Sequence, residues 1–292
     1  MTEFYLTLPS NTHVGNKTSD FRVNLPDVIK LPGDWDVSLA QIQYPKSWNN
    51  ITDDPDTRQT FSKNEICITI KDDDYSIFKL NLPVGHYDSI NDLMSTIINL
   101  TEDQAKQLTL DAIVQSKKDG KMTKKENKHI SVLKMVSKAI FWDYDSIIKR
   151  VTVKFNKDFI SVIRLSDHLK YILGFEKNDL YNWEDYKNIA KYPVDLRGGI
   201  DGLYVYCDLV ENQIIGNVRE PLLRILPVQG SYGEIIDQDF VARHYIPVLK
   251  KEFSTVQISI KSDRDLYIPF AFGKVIVKLH FRSQDASNIR SL

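Results

Sequence analysis

The sequence has only two cysteines, Cys67 and Cys207, in 292 residues. That is too few for a disulfide scaffold, so a packed core must hold the fold and a reducing compartment is the default. Glycine (12) and proline (11) are scarce, which excludes collagen-like and linker-rich chains. Neither charge sign is in excess: 38 Lys and Arg against 39 Asp and Glu leave a net charge of −1. A strongly basic nucleic-acid binder would carry a clear positive surplus, so nucleic acid is an unlikely partner, although a local basic patch remains compatible. No apolar run approaches the length of a membrane span. The start, MTEFYLTLPSNTHVGNK, lacks the basic-then-apolar order of a secretory leader. The expectation is a soluble intracellular product whose final site lies elsewhere. The sequons at Asn16, Asn50 and Asn99 carry little weight without a leader.

Chemistry-bearing motifs are also missing. The six histidines (13, 86, 129, 168, 244 and 280) are scattered, with no H-x-H, H-E-x-x-H or C-x-x-C among them. Zinc and cupin-type iron sites need such pairs to place two ligands on one face. There is no G-x-S-x-G elbow and no Walker A loop. The acidic clusters at Asp53, Asp54 and Asp56 and at Asp72–Asp74 lack the spaced loop and bidentate glutamate of a calcium site, and they read as solvated turns. Cys207 sits on an apolar strand face beside Val205 and Leu209, the setting of a buried structural thiol. His280 lies opposite the apolar row of its strand and reads as exposed or interfacial. Catalytic residues, metal ligands and cofactors are therefore not expected.

What the sequence does contain is alternation. Phe4, Leu6 and Leu8; Phe21, Val23 and Leu25; Trp35, Val37 and Leu39; and Ile66, Ile68 and Ile70 each recur with period two and end at a turn signal. That is the mark of half-buried strands. The same pattern returns late in the chain at Leu203–Leu209, Val256–Ile260 and Val275–Phe281, with a short apolar run at 222–228. Between these groups, Ile90, Leu93, Met94, Ile97 and Ile98 follow helical spacing behind a cap at Asp88 or Ser89, and the pattern extends toward Leu108 and Ile113. The stretch QSKKDGKMTKKENKH (115–129) is polar, cationic and aperiodic, and reads as a solvated loop. Strands are expected at 150–155 and 159–165, then a short helix capped by Ser166 or Asp167 and ended by Gly174. The aromatic-rich stretch 176–194 suits either core or contact surface.

Strands in two groups with a helical stretch between them predict a mainly β chain: a single jelly-roll β-sandwich with an α/β insertion. On this reading residues 1–83 and 195–282 build a discontinuous sandwich, 84–194 form the helix-containing insertion, and 283–292 are a mobile tail. Two independent domains, divided near 100 or 195, are the alternative.

Several stretches taken together resemble a known family. They are FYLTLPSNT (4–12), LPGDWDVSLAQIQYPKSW (31–48), LPVGHYDSINDL (82–93), LSDHLKYILGF (165–175), GIDGLYVYCDLVENQIIGNVREPLLRILPV (199–228), HYIPV (244–248) and IPFAFGKVIVKLHFR (268–282). The set resembles the minor capsid, or penton, proteins of Maverick/Polinton elements and related adintovirus-like viruses. It runs in order along the chain and leaves mainly 100–140 uncovered. The blocks YVYCDLVENQIIG and GKVIVKLHFR are its most specific pieces.

The resemblance implies a structural virion protein, not an enzyme: a single jelly roll forming homopentamers at the fivefold vertices of an icosahedral capsid. Its partners would be copies of itself, a surrounding double jelly-roll major capsid protein and a possible host receptor. A fivefold ring needs a heterologous contact, one side of the subunit fitting the other side of its neighbour. Aromatic and arginine side chains in loops are the usual anchors, so Trp48, Trp183, Tyr186, Arg219 and Arg224 are the candidate interface residues. Trp35 is expected in the core. The alternatives are a jelly-roll module binding carbohydrate or a receptor, and another single jelly-roll capsid component.

Overall fold

The computed structural model describes residues 2–54, 62–72, 74–118, 123–181 and 188–284. Its elements, in chain order, begin with β1 (Glu3–Pro9), β2 (Asp20–Lys30), β3 (Trp35–Pro45), β4 (Glu65–Ile70) and β5 (Ile77–Asn81). Helices α1 (Ile90–Lys118) and α2 (Lys124–Ala139) follow, then β6 (Ile140–Asp145), β7 (Arg150–Phe155), β8 (Ile160–Leu165), α3 (Asp167–Leu173), β9 (Asp179–Tyr181) and β10 (Asn188–Ile189). The chain continues with β11 (Gly202–Cys207), β12 (Gln213–Ile215), β13 (Val218–Glu220), β14 (Leu222–Pro227), β15 (Ile235–Asp239), β16 (Ile246–Pro247), β17 (Glu252–Lys261) and β18 (Ile276–Ser283). The protein is mainly β, with antiparallel pairing throughout the described strands.

The chain divides into two compact units, Met1–Trp48 with Ile200–Leu292, and Asn49–Gly199. In the first, one sheet runs β1-β18-β3-β15, with β16 also on β3, and the other runs β14-β11-β17-β2. Their inward rows meet in one apolar cluster: Leu8, Val37, Leu39, Val277, Leu279 and Phe281 from the first sheet, Phe21, Val205, Cys207, Val256, Ile258 and Ile260 from the second. This is a β-sandwich, and the period-two rows of the sequence are its two inner faces. Phe281 stacks on Phe4 with ring centroids 4.7 Å apart. Trp35 is buried there as expected. A small hairpin of β12 and β13 stands apart from both sheets.

The second unit holds the sheets β5-β4-β8-β9 and β10-β7-β6 with all three α-helices and its own core, including Ile66, Ile68, Ile70, Leu93, Ile97, Val136, Val153, Ile163 and Ile172. The expected limits at 83 and 195 therefore move to 48 and 199. β4 and β5 were assigned to the terminal sandwich, but β4 pairs with β8 and its three isoleucines fill the second core. The alternation of Ile66, Ile68 and Ile70 was right about strand and wrong about sheet.

A second correction concerns 115–129. Residues 115–118 end α1 and 124–129 begin α2. Thr123 and Glu126 form a capping box: the Thr123 hydroxyl accepts from the Glu126 amide while the Glu126 carboxylate accepts from the Thr123 N–H. The Thr-x-x-Glu spacing was legible, but dense lysine masked it. Helix α1 starts as expected, with the Ser89 hydroxyl accepting from the Asp92 amide, and the Ser166 hydroxyl caps α3 by accepting from Leu169. Of the expected tail, Ser283 belongs to β18 and its N–H donates to Thr2. Residues 285–292 lie outside the described residues.

Gly174 ends α3 at φ +78°, where a Cβ would stand 2.1 Å from the Tyr192 carbonyl oxygen. Gly174→Ala is expected to destabilise the second unit by at least about 2 kcal/mol, read by chemical denaturation. Deleting 115–129 removes the facing ends of α1 and α2, so soluble, folded protein should be lost by circular dichroism and soluble yield. Undiminished folding would return that stretch to the status of a solvated excursion.

Candidate subunit-contact surface

Five residues were singled out from the sequence as contact anchors. Trp48 is 2% exposed and packs edge-on against Phe270, 5.7 Å between centroids, inside the sandwich core. Ser47 beside it bonds the Phe272 carbonyl, and Lys46 bonds Glu234 through its backbone. The 45–48 turn is thus sewn into the unit, and Trp48 lies in the sandwich core. Arg224 is half-buried on β14, its guanidinium 3.9 Å above the Phe240 ring and donating to the Ala242 carbonyl. Burial pushes its pKa down from the ordinary arginine value. It braces its own chain. Arg219 is exposed on the β12–β13 hairpin. Trp183 and Tyr186 lie outside the described residues.

The structure assembles a different cluster, which the sequence reading did not identify. On the outer face of the β1-β18-β3 ladder, cross-strand register creates two rows: Tyr5, His280 and Ser38, and Glu3, Arg282 and Asp36. Residues 243–245 bring Arg243 and Tyr245 onto these rows. The Tyr5 and His280 rings are 4.5 Å apart. Arg243 donates to the Tyr5 hydroxyl at 3.0 Å, and Lys278 lies 5.2 Å over the Tyr5 ring. Arg282 stacks 3.6 Å over Tyr245 and reaches Asp36 at 3.1 and 3.2 Å through two nitrogens. Gln284 donates to the other Asp36 oxygen. Cations over aromatic faces, with two guanidinium nitrogens donating to one carboxylate oxygen, hold these side chains in place. Tyr5 stays half exposed at its centre.

His280 overturns its expectation: it is 3% exposed, not a surface residue. Alternation placed it correctly on the outward face, but the 243–245 segment covers that face. The Tyr245 hydroxyl meets Nδ1 at 2.8 Å. Glu3 Oε2 is 3.4 Å from Nε2 without a hydrogen bond forming. Burial holds the His280 pKa below the usual imidazole value, and the Arg243 and Arg282 charges add to that, against the opposing pull of Glu3.

In the second unit, Asp72 organises the turn between β4 and β5. Its Oδ1 accepts from the Asp74 and Ser76 amides, and its Oδ2 accepts from the Ser76 hydroxyl and faces His129 Nδ1 at 2.6 Å. Burial alone would raise its pKa, but the Ser76 bonds and His129 outweigh that and hold it down at about 2. Asp72 and Asp74 sit in a turn as expected, but Asp72 is buried rather than solvated, His129 ties it to α2, and Asp73 lies outside the described residues. Cys207 is fully buried and pushed up to about 12 by desolvation, an inert thiol.

No family model and no curated protein matches the chain. Among solved structures it is similar to the mavirus penton protein, with 10% identity and a TM-score of 0.46, over 97% of this chain and 100% of that one.

His280 sets a pH dependence with a definite sign. Its folded pKa is below the unfolded value of about 6.5. The unfolded chain therefore binds the proton first, and the stabilisation is present above the unfolded value and lost as pH falls from there through the lower folded value. Thermal melts at about pH 7 and about pH 5 should show a larger loss for wild type than for His280→Gln. Equal losses would mean that His280 is protonated without cost.

Proposed function

We propose that the chain is a structural virion protein: a penton subunit that assembles as a homopentamer at the fivefold vertices of an icosahedral shell. Its terminal unit is, on this reading, a single jelly roll into which residues 49–199 are inserted. The observation that carries the proposal is strand order. The eight main strands of that unit, in chain order, are β1, β2, β3, β11, β14, β15, β17 and β18. One sheet reads first, eighth, third, sixth, and the other reads second, seventh, fourth, fifth. A jelly roll made of two Greek keys has this order, with its strands shared between two sheets.

Fold alone does not give function. The virion reading draws on the end-to-end resemblance to penton proteins, whose YVYCDLVENQIIG and GKVIVKLHFR blocks fall on β11–β12 and on β18 with its approach. The surface chemistry is compatible with it. The outward cluster on the β1-β18-β3 ladder is built of paired charges and cation-covered aromatics, and near-neutral net charge keeps repulsion between identical copies small. The partners on this reading are other copies of the chain, the surrounding double jelly-roll major capsid protein and, at the outer side of the shell, a host receptor.

Light scattering on the purified protein tests the ring. The expected mass is five times 33.8 kDa. A species that stays monomeric across the accessible concentration range overturns the self-assembling vertex reading and favours a monomeric binding module.

A further inference from the structure

The sandwich carries two features that stay exposed among the described residues. The first is the β12–β13 hairpin between β11 and β14. A two-stranded ribbon is marginal in water by itself, yet this one presents apolar residues outward: Ile214 is 73% exposed and Val218 49%. Cross-strand pairing places Arg219 directly beside Ile214 on one face. The second is β15, the terminal strand of its sheet among the described strands. Its alternation turns Ile235, Asp237 and Asp239 to one side, all exposed, with Ile235 69% exposed. Asp237 has the neutral Gln41 amide at 2.9 Å. Among the described residues, neither Arg219 nor either aspartate belongs to an ion pair.

We infer that these two features are the halves of one contact, in which the Ile214–Arg219 face of the hairpin seats on the β15 row of a second copy. Isoleucine meets isoleucine, and the guanidinium meets Asp237 and Asp239. Charge selects this pairing over the simpler one. Two β15 edges brought together in a twofold would oppose aspartate rows, and two hairpins would oppose arginines, so like pairs with like only at a cost. The Arg219 face of the hairpin against the Asp237–Asp239 row is a heterologous contact, the kind that closes rings, while Glu220 lies on the hairpin's other face by alternation. It also explains why an edge strand can keep an exposed isoleucine: the neighbour covers it. This inference rests on the ring reading above and names the surface that would build it.

Charge reversal tests it. Arg219→Glu, and separately the pair Asp237→Arg with Asp239→Arg, should each weaken the ring by at least about tenfold in the midpoint concentration of assembly, measured by sedimentation velocity. Combining the reversals should restore assembly, while circular dichroism shows each variant folded. Rescue is what a merely structural role for these residues would not produce. A wild-type ring that survives both reversals overturns this contact and leaves the ring reading standing. A wild-type protein that forms no ring overturns both.

Discussion

The structure depends on where β18 lies. The last strand runs between the first and the third, paired along its length with β1 on one side and β3 on the other. Its inward residues Val277, Leu279 and Phe281 are fully buried, and Phe281 joins Phe4 and Phe253 in a stack across the core. The sandwich is therefore incomplete until the end of the chain arrives. Such long-range pairing is slow to form, because loop closure comes before any reward from contact. It also makes the two terminal segments of the polypeptide into one body.

That closure explains how the chain accommodates Asn49–Gly199. Among the described residues, the intervening unit has its own core beneath two sheets and the helices α1, α2 and α3. Local devices make it specific. Ser89, Thr123 and Ser166 cap the three helices, and Gly174 supplies the left-handed turn after α3. Asp72 fastens the β4–β5 turn to His129 of α2. A chain segment that satisfies itself in this way can stand between β3 and β11 without disturbing the register of either.

Polar surface is organised by the same ladder. The register that buries Phe281 and Leu279 inward aligns Arg282 with Asp36 and Glu3, and His280 with Tyr5, outward. Tyr245 and Arg243 then close over the row from a segment far away in sequence. His280 becomes buried because of a neighbour that its own strand pattern does not contain. Trp48 is buried for a similar reason. A tryptophan in a polar turn gives no local sign of whether Phe270 waits beneath it.

Much was legible before any tertiary contact was known. Period-two rows placed the main strands of the sandwich, helical spacing and a serine cap placed the start of α1, and Ser166 with Gly174 bracketed α3. The buried thiol of Cys207 followed from its apolar flanks. The lysine-rich approach to α2 was misread because its helix is announced by a capping box rather than by apolar spacing. Alternation determines which face of a strand is wet and which is dry, since successive side chains point to opposite sides. It is silent about which strand lies alongside. Partner choice depends on hydrogen bonds and packing between segments far apart in the chain, and so only the folded molecule decided that β4 joins β8, that β18 joins β1 and β3, and that β15 ends its sheet among the described strands.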